Sequence, residues 1–109
     1  MRTLNFIVDG QLIEKDPKCD FSGLVPGSEK YLKAKFTFSS EWSGLLKVVG
    51  LWSRLGAEYP PQVLEKDNTC IIPAEALESK YFKIQVIGKR KKDGFRLTTN
   101  KLEICQNGG

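Results

Sequence analysis

The sequence predicts an all-β fold: an immunoglobulin-like antiparallel β-sandwich of about seven to nine short strands, with one short helical turn near residues 73–78. Three observations predict it. Tyr31–Phe38 and Tyr81–Gly88 alternate apolar and polar residues with period two, as a strand does when one face packs inward and the other meets water. Asp-Gly pairs at 9–10 and 93–94 stand between apolar runs, where a tight hairpin turn needs residues that accept positive φ. Turn residues recur about every ten positions, and only one stretch favours helix.

Taken in order, Thr3–Val8 reads as the first strand, with Leu4 and Phe6 on one face. Asp9-Gly10 turns it, through a type I′ turn, into Gln11–Glu14. Residues 15–30 are rich in turns (Pro17, Gly23, Pro26, Gly27), and Phe21, Leu24 and Val25 are expected to anchor this loop under the sheet. In the next strand Leu32, Ala34, Phe36 and Phe38 share the inward face, while Lys33 and Lys35 face water. Ser39-Ser40-Glu41-Trp42-Ser43-Gly44 breaks the pattern as a polar corner around one large aromatic, expected to pack as core.

Leu45–Trp52 alternates less cleanly and reads as a strand buried on parts of both sides, with Gly50 marking a bulge. Tyr59–Glu65 can begin only as an edge strand, because Pro60 and Pro61 carry no N–H for a ladder. Lys66–Asn68 turns into Thr69–Ile72. Pro73–Glu78 is the helical turn: proline suits a first helical position, and Ala, Glu and Leu are good formers. In Tyr81–Gly88 the residues Phe82, Ile84 and Val86 point inward, and Lys89–Gly94 forms a hairpin tip. Phe95–Thr98 returns with Phe95 as strand core, and Lys101–Cys105 closes the sheet. At 109 residues the chain supports one core, so residues 1–105 are expected as a single domain and 106–109 as a Gly-rich tail.

Composition narrows the function. An apolar share of 40% with 28% charged residues is that of a folded globular chain. No apolar run reaches the roughly 18 residues of a membrane span, and the N-terminus lacks a signal peptide's apolar core. Folding in a cytoplasm, without a membrane partner, is therefore expected. There is no histidine, which removes the commonest general base and every Ser-, Cys- or Thr-His nucleophile pair. The acids are scattered singly, and no Gly-rich phosphate loop occurs. Cys19, Cys70 and Cys105 lie at wide, unrelated spacings that suggest no zinc site; Cys70 and Cys105 read as small buried hydrophobes, with one disulfide left open. No enzyme, cofactor or metal is expected.

Charge supplies the sharpest local feature. Residues 1–79 carry nine basic and eleven acidic side chains, whereas residues 80–109 carry eight basic and two acidic. Lys89, Arg90, Lys91 and Lys92 are consecutive on the predicted hairpin tip, with Arg96 just after, and these five are the candidate partner-binding residues. Such a cluster serves as a solvated guard against edge-to-edge pairing, as a contact for an acidic protein, or as a contact for nucleic acid. Direct nucleic-acid binding is the least expected, since strand binding wants aromatics interleaved with cations.

Four segments carry a resemblance: Phe36-Thr-Phe-Ser-Ser-Glu-Trp-Ser-Gly-Leu45, Asn68-Thr-Cys-Ile-Ile-Pro-Ala-Glu-Ala-Leu77, Phe82-Lys-Ile-Gln-Val-Ile-Gly88 and Arg96-Leu-Thr-Thr-Asn100. In this order they resemble a small β-domain of phages and prophages of Gram-positive bacteria, found at the N-terminal part of tail, baseplate or head-fibre proteins. The resemblance covers about residues 3 to 105 and implies a virion structural module, assembled in the host cytoplasm, that binds other phage structural proteins or further copies of itself. The chain departs from the pattern in ending at Gly108-Gly109, where the family usually continues through a linker, and in its more basic tip. An excised or free-standing virion module accounts for that. So does a phage anti-defence protein, such as an anti-CRISPR inhibitor that blocks a nucleic-acid-targeting effector in the host cytoplasm.

Overall fold

The computed structural model describes residues 1–107. Among them nine strands form: β1 (Arg2–Asp9), β2 (Leu12–Lys15), β3 (Leu32–Phe38), β4 (Leu46–Trp52), β5 (Glu58–Val63), β6 (Thr69–Ile71), β7 (Tyr81–Arg90), β8 (Phe95–Thr98) and β9 (Leu102–Cys105). A 3₁₀ turn spans Ser40–Trp42, and α1 (Ala74–Leu77) is a single helical turn. Pro73 precedes this turn as its cap, in extended conformation, and is not its first helical residue. The first sheet runs β2-β1-β3-β6; the second runs β5-β4-β7, with β8 and β9 both on the free side of β7. The inward residues of both sheets, Leu4, Phe6, Ala34 and Phe36 from the first and Val49, Leu51, Phe82, Ile84 and Val86 from the second, make one core. The all-β sandwich follows from this facing of two alternating surfaces.

One pairing departs from the expected antiparallel pattern. β3 lies parallel to β1, with Arg2 opposite Leu32 and Val8 opposite Phe38. The reason is the stretch between β2 and β3, which runs back along the molecule so that β3 starts beside the start of β1. That return is pinned by Arg2, whose guanidinium donates to the carbonyls of Asp20 (2.9 Å) and Ser22 (2.7 Å). Phe21 packs edge-on to Phe6 at 5.4 Å, and Leu24 is buried. Val25, expected as a third anchor, is half exposed, since Leu24 already faces the core and its neighbour in extended chain faces away.

The β1–β2 turn also differs from its expected form. Asp9 pairs with Leu12, which leaves Gly10 and Gln11 as the central residues, and only Gly10 has positive φ (+56°). This is the pattern of a type II′ turn, one residue later than a turn centred on Asp9-Gly10. Gly50 does mark an irregularity, because the β4–β5 register shifts between Val49 and Leu51. β5, with its two prolines, lies at the edge of its sheet.

β8 and β9 form one interrupted edge. At the break, Thr99 Oγ1 accepts the Val86 N–H at 3.0 Å and donates to the Asn100 carbonyl at 2.8 Å. Asn100 Oδ1 accepts the Ile13 N–H at 2.8 Å, which ties this edge to the first sheet. Gln106, assigned by composition to the tail, is fully buried. Asn107 is exposed, and the Gly108-Gly109 part of that tail lies outside the described residues.

All three cysteines are free thiols; Cys70 is buried, and Cys19 and Cys105 are half-buried. Burial pushes the Cys70 thiol up from its ordinary 9.0 to about 12. The unfolded chain releases this proton near 9.0 while the folded chain holds it, so this stabilisation is complete below pH 9.0 and is lost as pH rises toward about 12. The loss runs at up to about 1.4 kcal/mol per pH unit. Urea unfolding of the wild type on either side of pH 9 should show a steeper decline than unfolding of Cys70→Ala. Parallel declines would mean that the thiolate is not penalised by the fold.

Candidate functional site

The five predicted cations all sit on the β7–β8 hairpin, but in two different roles. Gly88 is the last buried residue of β7, and Lys89 and Arg90 continue the strand past the end of the core. β8 keeps pairing there: Lys89 stands opposite Arg96, and Arg90 opposite Phe95. The turn proper is Lys91-Lys92-Asp93-Gly94, closed by Gly94 at φ +72°. Lys89 and Arg90 are thus strand residues, where the sequence reads them as part of the tip.

Arg90 is engaged within the hairpin. Its Nε and Nη2 donate to the two oxygens of Asp93 at 3.0 and 2.8 Å. Asp93 Oδ1 also accepts the Phe95 N–H at 3.2 Å. The Arg90 guanidinium lies 4.8 Å from the centre of the Phe95 ring. The Arg90 hydrogen bond, followed by that from the Phe95 N–H, holds the Asp93 carboxyl below the ordinary carboxylate range, and Asp93 raises Arg90 in return. A bidentate pair of this kind fixes geometry as well as charge. It makes the tip a pre-ordered unit.

Lys89, Lys91, Lys92 and Arg96 are exposed and make no ion pair among the described residues. Lys89 and Arg96 are direct cross-strand neighbours, an arrangement that is destabilising for like charges. Phe95 corrects a sequence expectation: it is 40% exposed and is not strand core. Alternation puts it opposite Arg90, on the same side as Gly88 but two positions further out, where the core has ended. Leu46, 56% exposed, stands opposite Lys89 on the other side. Together Leu46, Lys89, Phe95 and Arg96 border an open cleft of about 490 Å³. Leu46 was not among the predicted site residues, because it reaches the hairpin through a strand pairing across more than forty residues of sequence.

Trp42 stands apart from this site. It is fully buried at the corner between the sheets, and its Nε1 donates to the Gly10 carbonyl at 2.9 Å. Among the described residues, no three of His, Cys, Asp or Glu converge as a metal would require. The chain matches no known family model, no curated protein and no solved structure. The likeness to the phage domain thus rests on its four motifs alone.

Proposed function

We propose that this chain is a non-catalytic protein-interaction module that uses the β7–β8 hairpin to hold an acidic protein surface. We place it in a phage particle, at the tail, baseplate or head fibre, bound to another structural protein or to further copies of itself. The observation that carries the reading is the gathering of Lys89, Lys91, Lys92 and Arg96 on one exposed hairpin with no carboxylate of the described chain to answer them. Their mutual repulsion is relieved when an acidic surface arrives, and the same field steers the encounter. Asp93 and Arg90 hold the hairpin in shape beforehand, which lowers the ordering cost of binding. A protein is favoured over nucleic acid because the hairpin offers one aromatic ring, and Arg90 already lies over it. The phage placement comes from the resemblance of the four motifs.

The test joins location to mechanism. Mass spectrometry of purified particles should find the chain, and crosslinking should identify its neighbour. Changing Lys89, Lys91, Lys92 and Arg96 together to Ser should weaken that pair by about tenfold or more at moderate salt, since several charge pairs of roughly 0.2–1 kcal/mol each are lost. The folded state should be unchanged, as all four side chains are exposed. Absence from particles would remove the virion placement, and unchanged binding would remove the hairpin. Recovery of the chain on a host defence nuclease would move it to the anti-defence reading.

A further inference from the structure

The outer face of the second sheet is covered by its own chain at one end and bare at the other. At the covered end, Lys101 Nζ lies 3.7 Å from the centre of the Trp52 ring. The Arg54 guanidinium lies 3.9 Å over Tyr81 and is held there by Glu103 at 3.0 Å. At the other end, register sets two rows across the strands. Leu46 is opposite Lys89, which is opposite Arg96; Val63 is opposite Val48, which is opposite Ile87. Directly opposed residues share a face, and Val49, between Leu46/Val48 and Leu51 in the alternation, is fully buried on the inner face. The two rows are therefore neighbours on the outside. Leu46 and Val63 remain 56% and 60% exposed.

Exposed aliphatics beside uncompensated cations fit a partner that answers both. A nucleic acid would meet Lys89 and Arg96 but leave the aliphatic row wet, since Leu46 and Val63 offer no ring for a base to stack on. A purely acidic surface would do the same. Strand addition at the adjacent edge is blunted by Pro60 and Pro61 of β5, so contact falls on the face. Resting on the reading of the hairpin as a protein contact, we infer that the partner docks across this outer face with an amphipathic acidic segment. Its carboxylates meet Lys89 and Arg96, and its apolar side chains cover Leu46, Val48, Val63 and Ile87.

The full chain can be titrated with three fluorescent probes of equal charge: a peptide alternating Glu and Leu, polyglutamate, and an oligothymidylate. At physiological salt the alternating peptide should bind about tenfold tighter than the other two, from burial of the aliphatic row. Leu46→Ser with Val63→Ser, at positions outside the core and confirmed as folded by a cooperative unfolding transition, should bring it down to the polyglutamate level without altering polyglutamate binding. Equal binding of peptide and polyglutamate by the wild type overturns the inference but leaves the cationic hairpin reading intact. So does a preference that survives in the double variant. Tightest binding to oligothymidylate, or no binding to any probe, overturns both.

Discussion

Replacing Trp42 with alanine is expected to remove about 3–5 kcal/mol of stability, the range for deleting a large aromatic from a packed core. Trp42 has no exposed surface. Its ring packs against Phe38 at 5.3 Å, and its Nε1 holds the carbonyl of Gly10 at the β1–β2 turn. It therefore joins three pieces that sequence keeps apart: the end of β3, the first hairpin and the last buried position of β7. The fit over β7 is close. A Cβ at Gly88 would stand 2.8 Å from the Trp42 ring and 2.8 Å from a Leu45 methyl. Guanidinium unfolding should show a lower midpoint with the slope preserved. Because domains of this size hold only about 5–15 kcal/mol, the variant should be marginal at physiological temperature.

The same contact predicts how two changes combine. Gly88→Ala alone overpacks the corner and should cost about 1–3 kcal/mol. In a Trp42→Ala background the ring is gone and only the Leu45 methyl still obstructs, so the two losses should sum to more than the double variant shows. Strict additivity, or a Trp42→Ala loss under about 1 kcal/mol, would mean that this ring does not carry the corner.

The sandwich was legible where the rule is local. Alternation in Leu32–Phe38 and Phe82–Gly88 fixes the inward faces, Gly50 marks the bulge, and Pro60-Pro61 forces an edge. The charge cluster was legible for the same reason, being nearly contiguous. What escaped depends on where distant segments come to rest. The parallel β1–β3 pair is decided by how the stretch after β2 packs back along β1, through Phe21 on Phe6 and Arg2 on the carbonyls of Asp20 and Ser22, contacts that no local pattern announces. Phe95 has a core residue's pattern, and its exposure follows only from the core ending two positions earlier at Gly88. The Leu46 and Val63 rows require the registers of β4, β5 and β7 to be known together. The Arg90–Asp93 pair, three residues apart on a turn, is the one part of the site that spacing could have revealed.

Gln106→Ala is expected to cost about 1–3 kcal/mol, although composition places this residue in a Gly-rich tail. Its side chain is fully buried, and its Nε2 donates to the carbonyls of Leu77 (3.2 Å) and Ser79 (2.8 Å). Those carbonyls belong to the end of α1 and the residues after it, where a helical turn leaves acceptors without partners of its own. The Gln106 backbone N–H meets the next one, at Lys80, at 2.6 Å. Alanine keeps that backbone bond, and the Leu77 carbonyl keeps the Gly27 N–H at 2.8 Å, but the Ser79 carbonyl is left without the Gln106 donor beside a new void. Gln106→Leu separates the two effects, since it refills the volume without supplying a donor; it should recover the cavity part of the loss and none of the hydrogen-bond part. Gln106→Glu should do worse than leucine, because it sets a buried carboxylate against two carbonyl oxygens. Urea unfolding of the three variants, with Asn107→Ala as the exposed neighbour, distinguishes the cases. If Gln106→Ala loses no more than Asn107→Ala, position 106 belongs to the tail after all, and the domain ends at Cys105.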